Sequence, residues 1–122
     1  MTPRRGEIYY ADLRGTRGRE QRGRRRPLLI VSADAINAQP LVLTVVVGTD
    51  AANVAHRYST NVHVSAGDSG LPLDTVFLCF QIRSLDESRL SQDAAGNLTP
   101  AGVMPPAKMA EVDAALRLVL AL

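Results

Sequence analysis

The sequence predicts a mainly β chain: a small antiparallel β-barrel or sheet that carries one C-terminal helix. Three observations predict it. Five strand-length segments rich in aliphatic and β-branched residues come first. The convincing helical stripe comes last, after Pro105 and Pro106. Strands and helices do not alternate, which argues against βαβ units and a parallel sheet.

Glu7–Leu13 (EIYYADL) reads as the first strand, with Ile8, Tyr9 and Tyr10 supplying β-propensity. An arginine-rich loop follows. Pro27–Ala33 (PLLIVSA) is an apolar run of strand length, with Pro27 at a strand's first position, where its missing N–H costs little. Asp34–Ala38 holds a helical turn with Asp34 as its expected cap. Leu41–Thr49 (LVLTVVVGT) is the most β-branched segment and the best central strand. Asp50–Ser59 has no period and reads as a loop.

Thr60–Ser65 alternates, Val62 and Val64 facing one way, Asn61 and His63 the other. Gly67–Gly70 is a turn. Thr75–Leu85 is a long strand, with Val76, Leu78, Phe80 and Ile82 expected on one face and Cys79 on the other. Asp86 caps a short turn through Leu90, and Gln92–Gly102 is a polar connection. Pro105-Pro106 then opens a helix, since proline is tolerated in a first turn. Met109, Val112, Leu116 and Val119 recur at steps of three and four and make one apolar stripe.

The 122 residues are one domain's worth of polymer, read as a single unit over residues 1–122. Hydrophobic residues at 46% and charged residues at 21% exclude an intrinsically disordered chain. The longest apolar stretches are only a few residues, far short of a membrane span, and no signal peptide opens the chain. A cytoplasmic protein is expected. The single cysteine, Cys79, excludes an intramolecular disulfide framework and a multi-cysteine zinc site.

The net charge of +2 hides a strong asymmetry. Residues 1–30 hold nine arginines against Glu7, Asp12 and Glu20, whereas residues 31–122 hold five basic and nine acidic residues. The run from Arg14 to Arg26 (RGTRGREQRGRRR) contains seven arginines, three glycines and one carboxylate. Arginine's planar fork suits phosphate, and glycine lets a backbone approach a polyanion closely, so a nucleic-acid partner is favoured. A solvated loop that only aids solubility has the same composition.

Few residues offer chemistry. His56 lies in a loop and His63 on the polar face of a strand, and no spacing forces them into an acid–base pair. Cys79, mid-strand, reads as a small hydrophobe. No His/Asp/Glu cluster has metal-ligand spacing, so neither a metal nor another cofactor is expected. No phosphate-binding glycine loop leads into a helix. What remains is Arg26 beside Pro27 and the strand-end hydroxyls Ser32, Thr44 and Thr49. Arginine and threonine can stabilise a pentavalent phosphate without histidine, although strand-end packing accounts for the same residues.

The blocks RRGEIYYADL, G-x-EQ-x-G…RP (Gly18, Glu20, Gln21, Gly23, Arg26, Pro27), LLIVSAD with Asn37, VVVGT, Gly70-Leu71, QIRSLD-x-x-RL (Gln81–Leu90) and VDAALRLVLAL resemble, in order, the MazF/PemK/Kid toxins of type II toxin–antitoxin pairs. The resemblance covers essentially the whole chain. It implies an SH3-like barrel with a C-terminal helix, working as a homodimer and held silent by an acidic segment of a cognate antitoxin. It also implies sequence-selective, metal-independent cleavage of single-stranded RNA, with mRNA the expected target. The RNA's own 2′-OH attacks the adjacent phosphorus, leaving a 2′,3′-cyclic phosphate and a 5′-OH.

By motif, the catalytic pair of that family maps onto Arg26 and Thr49. The same mapping makes Arg17, Arg19, Arg22, Arg24 and Arg25 backbone contacts, with Glu20 and Gln21 reading base edges or holding the loop. Ser32, Asp50 and Gln81 complete the expected RNA-contacting set.

Three departures stand out. An extra residue before Pro27 lets Arg25 compete with Arg26 for the catalytic position. Phe80 occupies a place that is often acidic in relatives. Asp50-Ala51-Ala52 replaces the polar residues that usually follow the threonine. Two other functions stay open: a CcdB-like toxin that binds a protein such as gyrase, and an RNA-binding homologue that does not cut.

Overall fold

A computed structural model describes the chain apart from residues 1, 16, 17, 19–22, 24 and 56. The elements run β1 (Glu7–Ala11), β2 (Arg26–Ile30), α1 (Asp34–Asn37), β3 (Leu43–Asp50), β4 (Asn61–Val64), α2 (Ala66–Ser69), β5 (Thr75–Leu85), β6 (Gly102–Val103) and α3 (Pro106–Leu120). Short 3₁₀ turns follow β3 (Ala51–Asn53) and β5 (Glu87–Arg89). The strands form one antiparallel sheet in the order β4-β5-β3-β2-β1-β6, which places β3 in the interior as its β-branched composition predicts.

Period-two alternation sends side chains to both faces, and both faces are buried. Ile8, Leu29, Val46, Val62, Phe77 and Cys79 pack beneath Met109, Val112 and Ala115 of α3. Tyr9, Leu28, Ile30, Val45 and Val47 face the other way, where Leu90 and Leu98 cover them. A β-bridge between Ala11 and Leu90 ties that cover to β1. Burying both faces is possible because the sheet curls until its edges approach. Gly102 of β6 lies so near the segment after β4 that an added Cβ would stand 2.5 Å from the Ser69 carbonyl oxygen. The result is a half-barrel of six strands with a terminal helix, in agreement with the predicted class.

Several expectations need correction. Asp34 does not cap α1. Ala33 holds the N-cap position, and the Asp34 carboxylate instead accepts from the Arg5 backbone N–H at 2.7 Å and from Arg4 Nη2 at 3.2 Å. Gly67–Gly70 belongs to a short helical turn, α2, capped by the Ser65 hydroxyl and ended by Gly70 at φ 84°. A sixth strand, β6, emerges from the polar connection, its two residues too few to show a period.

The predicted single face along β5 fails at Phe80, which is 46% exposed. Val46 pairs with Ile82 while its neighbour Val47 pairs with Leu78, so Cys79, Phe80 and Gln81 have no opposite residues on β3. Such an insertion swaps the faces and turns side chains outward. The remaining sequence boundaries agree to within a few residues, and Asp86 caps its turn as expected, accepting from Ser88 N.

Candidate active site

Strand register brings the two motif residues together. Leu28 pairs with Val47 in an antiparallel ladder, so extending it by two places sets Arg26 opposite Thr49. Arg26 Nη1 donates to Thr49 Oγ1 at 3.1 Å. Thr49 is 5% exposed and Arg26 is half-buried.

Two glycines permit this arrangement. A Cβ on Gly48 would meet Phe77 Cε1 at 2.9 Å and Pro27 Cγ at 3.1 Å, so the strand beside Thr49 has no room for a side chain. Gly23, at φ 147°, leaves space that the Arg26 side chain fills, since a Cβ there would stand 3.0 Å from Arg26 Nε. Gly23 also closes the base of the arginine-rich loop, its carbonyl accepting from Leu13 N at 2.7 Å.

The pair opens onto a cleft of ≈ 540 Å³ lined also by Tyr58, Asn61, Phe80 and Gln81. Of these, Gln81 was expected from the sequence. Tyr58 and Asn61 were not: Tyr58 lies in a loop without periodicity, and Asn61 reads only as the polar side of a strand. Phe80 carried a signal, as a departure from the resemblance, but its outward turn depends on the bulge.

The other expected residues go elsewhere or are not described. Arg25 lies 4.1 Å above the Tyr10 ring centroid, a cation–π contact, so it is Arg26 that stands beside Thr49. Ser32 is not brought to the cleft. It lies six residues beyond Arg26, about 20 Å along extended chain, where its hydroxyl donates to Asn37 Oδ1 at 2.5 Å and accepts from Thr44 N at 3.1 Å. Asp50 accepts from Ala52 N at 3.0 Å and so shapes the turn that follows Thr49. Arg17, Arg19, Glu20, Gln21, Arg22, Arg24 and His56 lie outside the described residues.

The basic character of the N-terminal third is partly spent on structure. Arg4 pairs with Asp34, Arg5 with Asp113 and Arg14 with Asp12. His63 is half-buried on β4 and is not among the residues that line the cleft, and its Nε2 has no hydrogen-bond partner among the described residues. Burial, then Arg57 and Lys108, hold its pKa below 6.5 against an opposing pull from Glu111. Burial pushes the Cys79 thiol up to about 11, consistent with a packing role. Among the described residues no three His, Cys, Asp or Glu side chains are placed to hold a metal ion. Among the described residues no helix is long and apolar enough to cross a membrane.

Solved structures share this architecture. An endoribonuclease in complex with its cognate antitoxin from mycobacterial species superposes at a TM-score of 0.74 with 26% identity, over 98% of this chain and 96% of that one. The crystal structure of MazF from Deinococcus radiodurans gives a TM-score of 0.77 with 25% identity, over 100% and 99% of the two chains. The fold class is therefore that of MazF-type toxins.

In sequence, the chain is 39% identical to endoribonuclease MazF9 of Mycobacterium tuberculosis, over 94% of this chain and 93% of the relative. It is 38% identical to endoribonuclease MazF of Staphylococcus epidermidis, over 98% and 92%. The family model described as PemK-like, MazF-like toxin of type II toxin–antitoxin system matches residues 4–120. The chain belongs to that family.

Proposed function

We propose that this endoribonuclease toxin cuts single-stranded RNA at a phosphodiester held between Arg26 and Thr49. The single observation that carries the reading is the Arg26 Nη1 to Thr49 Oγ1 hydrogen bond at the mouth of the cleft. Thr49 Oγ1 accepts from Arg26 and so keeps its own O–H to donate to a non-bridging phosphate oxygen. Arg26 directs its remaining N–H donors at the same phosphate, where negative charge grows as phosphorus becomes pentavalent.

The RNA's 2′-OH loses its proton as its oxygen bonds to the adjacent phosphorus. The bond from phosphorus to the 5′-oxygen breaks, and that oxygen takes a proton. The products are a 2′,3′-cyclic phosphate and a 5′-OH. The nucleophile lies within the substrate, so the protein's task is to align it and stabilise charge. A guanidinium holds its proton too tightly to be a good base, which makes charge stabilisation the main role proposed for Arg26.

Around this centre, Arg25 and the loop arginines follow the RNA backbone, and Gln81 faces a base edge. An acidic segment of a cognate antitoxin competes for the same basic surface, a reading supported by the antitoxin bound to the mycobacterial endoribonuclease. The active form is a homodimer, and exposed Leu41 and Val42 supply apolar surface for such an assembly.

The test is cleavage by Arg26→Ala and Thr49→Val. Each is expected to lose on the order of 100-fold or more in kcat/KM, the usual cost of removing a transition-state donor, with circular dichroism unchanged. Wild-type rates in Arg26→Ala, with Arg25 also replaced, would overturn the assignment. Intact RNA from folded wild-type protein would select the binding-only or gyrase-type reading.

A further inference from the structure

The cleft carries two aromatic rings that the cleavage chemistry does not use. Tyr58 is 57% and Phe80 46% exposed, in a chain with three tyrosines, two phenylalanines and no tryptophan. Tyr9 and Phe77 are buried, and Tyr10 is half-buried beneath Arg25. The two rings most open to solvent thus stand together in one cleft, beside Arg26 and Thr49.

Their centroids are 6.1 Å apart with the planes at 74°, so each ring orients the other edge to face. The backbone is arranged to present them. Phe80 is the middle of three β5 residues without partners on β3, and the bulge turns it out of the core that Phe77 and Cys79 enter.

Single-stranded nucleic acid is commonly held by base stacking on aromatic faces beside cationic contacts to the backbone. We infer that Tyr58 and Phe80 form a stacking seat for one unpaired base of the RNA, next to the phosphate that Arg26 and Thr49 hold. The seat rests on the RNA reading proposed above and adds a determinant of substrate choice. The face of Phe80 carries no hydrogen-bonding group, so it selects for stacking strength. The amides of Asn61 and Gln81 line the same cleft and face a seated base's edge with both donors and acceptors. A carboxylate at position 80 would offer acceptors only, so this chain's preference differs from that of relatives with an acid there.

Phe80→Trp gives the chain its sole tryptophan, at the seat itself. Short single-stranded DNA oligonucleotides of mixed sequence lack the attacking 2′-OH and report binding alone. Their titration is expected to quench the introduced indole saturably, whereas an abasic strand of the same length does not. In parallel, Phe80→Ala and Phe80→Leu are expected to raise KM for RNA by about 5- to 150-fold, the range for losing one stacked base. In both variants kcat and melting temperature stay near wild type, and Phe80→Tyr restores KM.

A wild-type KM in Phe80→Ala together with an unquenched indole overturns the seat and leaves the cleavage reading standing. That outcome includes the case in which the rings serve an antitoxin segment instead. If wild-type protein does not cut RNA, the cleavage reading fails by itself. Quenching then still supports a base seat, and its absence overturns both.

Discussion

In the proposed mechanism the chemistry turns on Arg26 and Thr49, and Arg26 can be tested against a neighbour that ought not to matter. Arg25 is exposed and lies over Tyr10 rather than beside Thr49. Arg25→Ala is expected to keep cleavage within about tenfold of wild type, as for lost backbone contacts, while Arg26→Ala loses the 100-fold or more given above. The opposite order in a kcat/KM comparison would place Arg25 in the catalytic position.

His63 gives a second test at this scale. Its native pKa lies below 6.5, so the unfolded chain takes up a proton that the folded chain refuses. Its contribution to stability is complete well above pH 6.5 and is lost as pH falls through 6.5 toward the native pKa. Urea midpoints at pH 7.5 and 5.5 should therefore converge more closely in His63→Gln than in wild type. An unchanged difference would exclude His63 as the source.

The pairing of Arg26 with Thr49 was legible in the sequence because the motif singles out both residues, and strand register then sets them side by side. The engagement of Ser32 was not legible, because a hydroxyl at a strand end looks the same in sequence whether it faces solvent or, as here, knits Asn37 to Thr44. Tyr58 gave no signal, since only folding brings its loop to Phe80.

Among the elements, β3 bears the tightest constraint. Gly48 sits where any side chain would strike Phe77 and Pro27. Gly48→Ala is expected to cost about 1–3 kcal/mol by overpacking and to lower kcat by displacing Thr49. Denaturant unfolding and single-turnover cleavage measure the two effects, and a stable, fully active variant would show that β3 can shift freely.

The end of α3 predicts the reverse change. Ala121 occupies the left-handed C-cap conformation at φ 57°, which glycine adopts without a Cβ penalty. Ala121→Gly should stabilise the protein by about 1 kcal/mol, read as a higher melting temperature. The helix stripe was legible because its period is long and regular: Met109 and Val112 are buried and Leu116 packs partly against the same core. The alternation of β5 misled at Phe80 because a bulge depends on the partner strand, and β3 lies some thirty residues earlier in the sequence.

For the whole molecule, curling explains how a sheet of six strands buries both faces, while the antiparallel register of neighbouring strands sets the arginine-bearing start of β2 beside the end of β3. The barrel was legible from strand-first order and from the resemblance. Edge closure was not, because it hinges on Gly102 meeting Ser69 across the fold. The charge asymmetry belongs to this scale too. With seven arginines between Arg14 and Arg26, RNA binding should weaken steeply with salt, by about 0.7 log units per log unit of salt for each phosphate neutralised on a single strand. Arg25→Gln should flatten that slope by about one such contact, which filter binding across a salt series would detect.

The most direct measurement maps the ends produced when wild-type protein and Arg26→Ala, matched for folding, are incubated with a long, mostly unstructured RNA in EDTA. The expected result is a set of discrete cuts at one short motif, with 2′,3′-cyclic phosphate and 5′-OH ends, from wild type alone. Equal cutting by both proteins, or ends bearing a 5′-phosphate, would contradict the Arg26–Thr49 mechanism.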